Sequence, residues 1–366
     1  MIPKVSVIIP CYNVAEFLPR GIECLSRQTL SDIEIICIND GSIDQTLYVL
    51  QTLSMTDMRI KIIDLKKNGG VSAARNAGIK QATGEYIGFM DPDDFVDLNF
   101  YEKLYESAKK NNSDMVVANL KCHLYGFVRN KYREYIDRNP RWRSIKSVAA
   151  NLFNFAGHFT AIYRNDLVRQ NNLEYPVGFS NSEDHIFELK CVLAVHSKHG
   201  RYSVVEDVYY HHVRRLGSLN SHFFNMKQLD DLVKAVKYEL KLINSTPGIT
   251  ERDYNLFMFP KIYYLTDGLL KRVTDQKSLD FIAENLIEIY QTMKYKEEIQ
   301  RHDKTLFALL VSQNKEELSK YFFSLTRYSV RRYKLFAFIT LISIFERYNS
   351  RTYKLFEYIP VWKVQF

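Results

Sequence analysis

Asp91, Asp93 and Asp94 place three carboxylates in four positions, directly after the apolar run 86–90. Pro92 fixes one backbone angle and disfavours helix at Asp91. Carboxylates this close repel each other unless a cation lies among them. Hard divalent cations such as Mg2+ or Mn2+ take carboxylate oxygens and bridge to phosphate oxygens. A helix N-terminus rich in aspartate accounts for Asp94 or Asp97 through the helix dipole. It does not account for Asp91 at the end of an apolar strand. Asp40 ends a second apolar run and precedes Gly41. There a carboxylate either accepts a hydrogen bond from a nucleobase N–H or serves a turn. Asn68-Gly69-Gly70 sets backbone N–H groups before a helix start, where they can face an anion. Arg75, one turn into that helix, reaches toward a diphosphate or a base; the alternative is a glycine turn with a solvated arginine.

Two later clusters carry similar chemistry. Glu183-Asp184 follows Ser182 and precedes an apolar helical pattern. Ser182 can cap that helix, with both acids favoured by its dipole, and a paired acidic site can also supply a general base. Tyr209-Tyr210-His211-His212-Val213-Arg214-Arg215 combines aromatics, two histidines and two arginines. Adjacent histidines on a strand point to opposite faces, so at most one faces a given site. Arginines suit phosphate oxygens, and the alternative is a sheet edge with a basic rim.

These residues need a scaffold that brings them together. Short apolar runs at 5–10, 33–38, 60–63, 86–90 and 115–118 read as strands. Helical stretches separate them: Leu18, Ile22 and Leu25 mark the first, Leu47 and Leu50 the second, and alanines the stretch 71–81. Ser42-Ile43-Asp44-Gln45 reads as a capping box. Such alternation predicts an α/β fold with a mostly parallel sheet covered by helices on both faces. Sheets of this kind bind ligands at the carboxyl ends of their strands. Pro10-Cys11-Tyr12-Asn13, Asn39-Asp40-Gly41-Ser42 and Asp91-Pro92-Asp93-Asp94 all lie at such ends. After about residue 220 the pattern turns helical, at 227–242, 254–272, 279–293 and 315–323. The expected organisation is a catalytic domain over 1–219, a helical region over 220–326 and a basic aromatic tail over 327–366.

The chain has 366 residues, 46% apolar and 25% charged, with a formal net charge of +8. Cys11, Cys24, Cys37, Cys122 and Cys191 are odd in number and widely spaced, which indicates neither a zinc site nor a disulfide framework and suits a reducing cytoplasm. The first strand begins almost at the N-terminus, without the basic region and cleavage site of a signal peptide. Residues 321–366 hold eight Lys/Arg, two Glu and fourteen aromatics. Arg331-Arg332-Tyr333-Lys334-Leu335-Phe336 is echoed by Arg351-Thr352-Tyr353-Lys354-Leu355-Phe356. The longest apolar run there, 335–345, is shorter than the roughly 20 residues a spanning helix needs. Aromatics and basic residues favour an anionic headgroup region, so the tail is expected to dock peripherally on a membrane surface; the alternative is packing onto the helical region. Its apolar residues form runs rather than isolated stacking platforms, so nucleic acid is not an expected partner.

In order and spacing, the motifs of the first 120 or so residues resemble the family 2 glycosyltransferases. The run is Val5-Ser6-Val7-Ile8-Ile9-Pro10-Cys11-Tyr12-Asn13, then Ile38-Asn39-Asp40-Gly41-Ser42. Gly70-Val71-Ser72-Ala73-Ala74-Arg75-Asn76-Ala77-Gly78 follows, then Ala82-Thr83-Gly84-Glu85-Tyr86-Ile87 and Asp91-Pro92-Asp93-Asp94. Glu183-Asp184 and the 209–218 cluster match later, looser motifs of that family.

The resemblance implies the Rossmann-like GT-A fold and an inverting transfer from a UDP-sugar to a hydroxyl acceptor. It implies that Asp40 binds the uracil edge, with Pro10, Tyr12 and Arg75 framing the nucleotide. Asp91 and Asp93 would be the DXD pair, touching ribose and a diphosphate-bound Mn2+ or Mg2+, and Asp184 the catalytic base. His211 or His212 would make a further metal or diphosphate contact, His211 being the closer match. The implied acceptor is a saccharide or lipid-linked saccharide of bacterial surface polysaccharide synthesis, at the cytoplasmic face of the membrane. A catalytically inactive nucleotide-sugar-binding or scaffolding protein is the alternative, and intact Asp91, Asp93 and Asp184 speak against it. A nucleotidyltransferase would want a glycine-rich, basic loop after the first strand, which Pro10-Cys11-Tyr12-Asn13 is not.

Overall fold

A computed structural model describes residues 2–124, 133–135, 158–179, 182–214, 225–268, 273 and 275–325. β1 (Val5–Cys11) and β2 (Ile33–Asp40) are buried at every position, as expected of parallel strands covered on both faces. β3 (Ile60–Leu65) and β4 (Tyr86–Phe89) complete the parallel half of a nine-stranded sheet. Its order is β3-β2-β1-β4-β8-β6-β9-β5, where β5 is Phe95–Val96, β6 Met115–Leu124, β8 Ala161–Arg164 and β9 Tyr202–Arg214; β7 (Arg133–Tyr135) pairs with β6.

The second half is mixed. β8 lies antiparallel between β4 and β6, β5 runs antiparallel to β9, and β6 and β9 are parallel. The register aligns the chemistry. Cys11 pairs with Asn39, and Ile8 with Phe89, so β1, β2 and β4 all end at one edge. Because β8 is antiparallel to β4, its beginning, not its end, lies at that edge.

Helices cover the sheet: α1 (Leu18–Ser26), α2 (Thr46–Thr56), α3 (Val71–Gln81), α4 (Phe100–Asn111), α5 (Asn165–Gln170) and α6 (Glu183–Ser197). α1 buries Leu18, Ile22 and Leu25, the face its spacing predicts. α3 lies so close to the sheet that a Cβ on Gly78 would meet Ile8 Cγ2 at 2.5 Å.

The expected capping box at Ser42–Gln45 does not form. α2 starts at Thr46 without a side-chain cap. Ser42 is drawn to the loop after β1 instead, and Asp44 bonds to both that loop and the first residue of α2. Ser42 Oγ accepts from Asn13 N–H, Asp44 accepts from Ala15 and Thr46 N–H, and Asn13 Oδ1 accepts from Ile43 N–H. The two loops at the strand ends are thereby laced together.

The helical region comprises α7 (Met226–Ser245), α8 (Glu251–Tyr263) with a π turn at Tyr264–Gly268, α9 (Gln276–Thr292), α10 (Glu297–His302), α11 (Lys304–Ser312) and a helix at 315–325. α7 begins with a capping box, Asn225 with Gln228. Leu189 and Leu193 of α6 join Leu229, Leu232 and Val236 in one core, so this region packs on the helix that begins at Glu183. Among the described residues no helix is long and apolar enough to cross a membrane. The expected boundary at 219/220 and the tail from 327 lie outside the described residues.

Candidate active site

The site forms where the strand ends meet the start of α6. Arg75 projects from the second turn of α3 and is 4% exposed. Its Nη2 donates to Asp91 Oδ1 at 3.0 Å and its Nη1 to Glu183 Oε1 at 3.2 Å. One guanidinium thus joins the acidic turn after β4 to the acidic start of α6. The Tyr175 ring lies below it, 5.1 Å from the guanidinium carbon. Asn76, the next residue of α3, holds Tyr175 there: its side chain accepts from Tyr175 N–H and donates to Tyr175 C=O.

Asp40 is 1% exposed, and its two oxygens accept from Gly69 and Gly70 N–H, both at 2.9 Å. It therefore ties the end of β2 to the loop before α3. Gly70 sits at φ +86°, and Gly41 at φ +66° packs so closely that a Cβ would meet Asn68 N at 2.7 Å. A carboxylate oxygen has a second lone pair, so these bonds leave acceptor capacity. Pro10 is buried in β1 beside Ile38, whereas Tyr12 is 45% exposed at the strand end.

The acidic turn divides its labour. Asp94 is fully buried: Oδ2 accepts from Tyr210 OH at 2.7 Å and meets His212 Nδ1 at 3.1 Å, and Oδ1 accepts from Val213 N–H. Burial pushes its carboxyl up to about 6, with His212 opposing. Asp97 accepts from Tyr209 N–H and contacts His211 Nε2 at 2.8 Å. Neither residue caps a helix; both fasten the turn to β9. Asp93 is half-buried, and its backbone carbonyl accepts from Arg20. Asp91 lies below the usual carboxylate range: burial opposes ionisation, and Arg75 outweighs it.

Period-two alternation on β9 sorts the histidines. Tyr210 and His212 reach Asp94, while His211 stacks on Phe95 at 4.4 Å with its ring nitrogens on Asp97 and His123. His212 is the histidine bonded within the Asp91–Asp94 turn, whereas His211 bonds to Asp97 beyond it. The pairing of Phe95 with His211, which decides the face each histidine takes, is a tertiary fact.

Asp184 lies in the first turn of α6, its side chain 30% exposed. Ser182 occupies the cap position at φ +66° and makes no side-chain cap; Asp184 Oδ1 instead accepts from His185 N–H at 2.8 Å. Burial works against its charge, but the His185 N–H and the Arg75 guanidinium nearby hold the carboxyl well below the usual range. Glu183 moves the other way, raised by burial and by Asp184. Two carboxylates side by side are thus pushed apart: Asp184 is ionised and partly open, and Glu183 is committed to Arg75. An ionised, accessible carboxylate can take a hydroxyl proton.

Sequence reasoning missed His158. It forms the turn His158–Thr160 at the beginning of β8 and is 1% exposed. Only the antiparallel insertion of β8 brings it here, and no local pattern reports that.

Residues 6–170 match the family model described as Glycosyl transferase family 2. Over 116 residues the chain is 49% identical to the uncharacterized glycosyltransferase EpsJ of Bacillus subtilis, covering 32% of this chain and 33% of EpsJ, so it spans about a third of that relative. Over 306 residues it is 28% identical to the cholesterol galactosyltransferase of Borreliella burgdorferi, covering 77% of this chain and 83% of that protein. Among solved structures, S. aureus TarS 1–349 in complex with UDP-GlcNAc superposes with a TM-score of 0.66 at 19% identity, covering 89% of this chain and 92% of that one. Residues 6–170 thus carry a segment similar to the family 2 glycosyltransferases, and the chain has the GT-A-like α/β fold of the TarS structure.

Proposed function

We propose that this glycosyltransferase moves a sugar from a UDP-sugar to a hydroxyl acceptor in one inverting displacement, with Asp184 as base. The observation that carries the reading is the Arg75 bridge, which joins the DXD turn at Asp91 to Glu183, the neighbour of Asp184. Asp184 accepts the acceptor's proton as its oxygen attacks the anomeric carbon. Arg75 sets the spacing of the two acidic segments. Asp40 and Tyr12, at adjoining strand ends, receive the uracil edge and its face.

The site suits a divalent cation completed by substrate. Among the described residues no three His, Cys, Asp or Glu side chains are arranged to hold a metal. Mg2+ is commonly held by one or two carboxylates together with substrate phosphates, and Asp91 and Asp93, with His212 alongside, match that donor set. When bound, such an ion neutralises charge on the departing diphosphate. The acceptor we favour is a saccharide or lipid-linked saccharide of surface polysaccharide synthesis at the cytoplasmic face of the membrane.

Donor turnover tests the reading. Hydrolysis of UDP-glucose, UDP-galactose and UDP-N-acetylglucosamine is measured with Mn2+, with EDTA, and with Mn2+ restored. At least one donor should turn over only with metal. Full turnover in EDTA by protein free of metal on elemental analysis would reject the metal assignment, and no UDP release from any donor would favour a binding or scaffolding role.

A further inference from the structure

Neither ring nitrogen of His158 has a hydrogen-bond partner among the described residues. The ring is sealed from solvent. Phe89 and Tyr175 meet it edge-on at 5.5 and 5.6 Å, and Phe159 lies at 5.2 Å. Buried polar groups are nearly always paired, and an exception calls for a reason. The carboxylate facing His158 is Asp184, whose Oδ2 lies 4.0 Å from His158 Nδ1. That is just beyond hydrogen-bond reach.

The two partners differ in freedom. His158 is fixed by its aromatic box. Asp184 is partly exposed, and its Oδ1 is held by its own helix turn while Oδ2 faces the histidine. Catalytic hydrogen bonds are often long before substrate binds and tighten afterwards. Burial, with Arg75 nearby, lowers His158 to about 3, so the ring is neutral and has one N–H to donate.

We infer that His158 is a positioning residue for Asp184, its Nδ1–H closing onto Oδ2 when donor and acceptor fill the site and aiming the carboxylate at the acceptor hydroxyl. The inference rests on Asp184 being the base. A direct contact of His158 with the sugar is the competing role, but its ring nitrogens are closed to solvent. No proton leaves the imidazole, which donates one hydrogen bond while Asp184 takes the proton.

Three variants and one spectrum test this. His158→Phe keeps an aromatic ring in the box, His158→Asn keeps an amide N–H near the Nδ1 position, and Asp184→Asn reports on the base itself. Each is assayed for hydrolysis of the best UDP-sugar with Mn2+ and for melting temperature. His158→Phe should fold with an unchanged or higher melting temperature and an unchanged donor KM. Its kcat should fall about 10- to 100-fold, as when an orienting partner of a functional group is lost. His158→Asn should recover most of that loss. 15N spectra of histidine-labelled protein with UDP and Mn2+, assigned by the His158→Phe difference, should show the neutral Nδ1–H tautomer. Normal kcat in His158→Phe, a loss confined to donor KM, or the Nε2–H tautomer would overturn the inference. Were Asp184→Asn fully active, the base assignment would fail, whereas an inactive Asp184→Asn beside a normal His158→Phe would reject the histidine's role alone.

Discussion

The Arg75 guanidinium and the Asp91 carboxylate meet at 3.0 Å, with the arginine side chain 5% exposed and the aspartate 28% exposed. The same guanidinium reaches Glu183, 108 residues further along the chain. A planar fork with fixed donors can hold two carboxylates at once; an ammonium is a point charge on a flexible stem. Arg75→Lys should therefore lose one of the two bonds while keeping the charge. We expect a destabilisation of about 1–3 kcal/mol, the cost of leaving a buried acceptor unsatisfied, and a fall in donor turnover. Chemical denaturation and the donor assay check it. A variant that matches the parent in both would show that the bridge is incidental.

Glu188 makes stability depend on pH. It lies one turn after Asp184, is 6% exposed, and its Oε1 has no partner among the described residues. Burial, reinforced by Asp184, pushes its carboxyl up to about 8. The folded state then keeps a proton that the unfolded chain releases above its ordinary value of 4.5. Its contribution to stability is full below that value and is lost as pH rises towards 8, by at most about 1.4 kcal/mol per unit. Glu188→Gln removes the term. The melting temperature of the variant should gain on that of the parent between pH 5 and pH 8. Parallel curves would contradict the assignment.

Asp40 offers a test of donor class. If its remaining acceptor capacity takes the uracil N–H, UDP with Mn2+ should raise the melting temperature more than GDP or CMP does. Asp40→Asn should reduce that preference. It should also lower the melting temperature without ligand, because the carboxylate secures Gly69 and Gly70 N–H. Equal responses to all three nucleotides in the parent would refute base-specific recognition.

Where local chemistry decides structure, the sequence reads correctly. α3 runs from Val71 to Gln81 as its alanines and preceding glycines predict, because Gly70 at φ +86° supplies the turn. The gathering of the segments after β1, β2 and β4 was legible as well, because strand ends in an α/β sheet gather on one edge. The failures share a cause. Ser42 is a good helix cap in isolation, yet it bonds to the neighbouring loop. Asp94 and Asp97 look like helix-dipole acids, yet they clamp β9. The choice between His211 and His212 depends on the pairing of β5 with β9. The antiparallel β8, with His158 at its start, follows a stretch without clear periodicity. α10 and α11, of six and nine residues, are too short for a periodic signal.

The proposed chemistry turns on Asp184 accepting the acceptor's proton. Asp184→Asn preserves size and can still accept from His185 N–H through its amide oxygen, but it cannot take a proton. Single-turnover rates of donor consumption, measured beside UDP affinity, isolate that step. We expect the rate to fall about 10²- to 10⁴-fold, the usual range for loss of a general base, with UDP affinity within about twofold because ground-state binding is spared. A variant that turns over at the parental rate would contradict the claim and leave Arg75, Asp91 and Glu183 as a structural ion cluster.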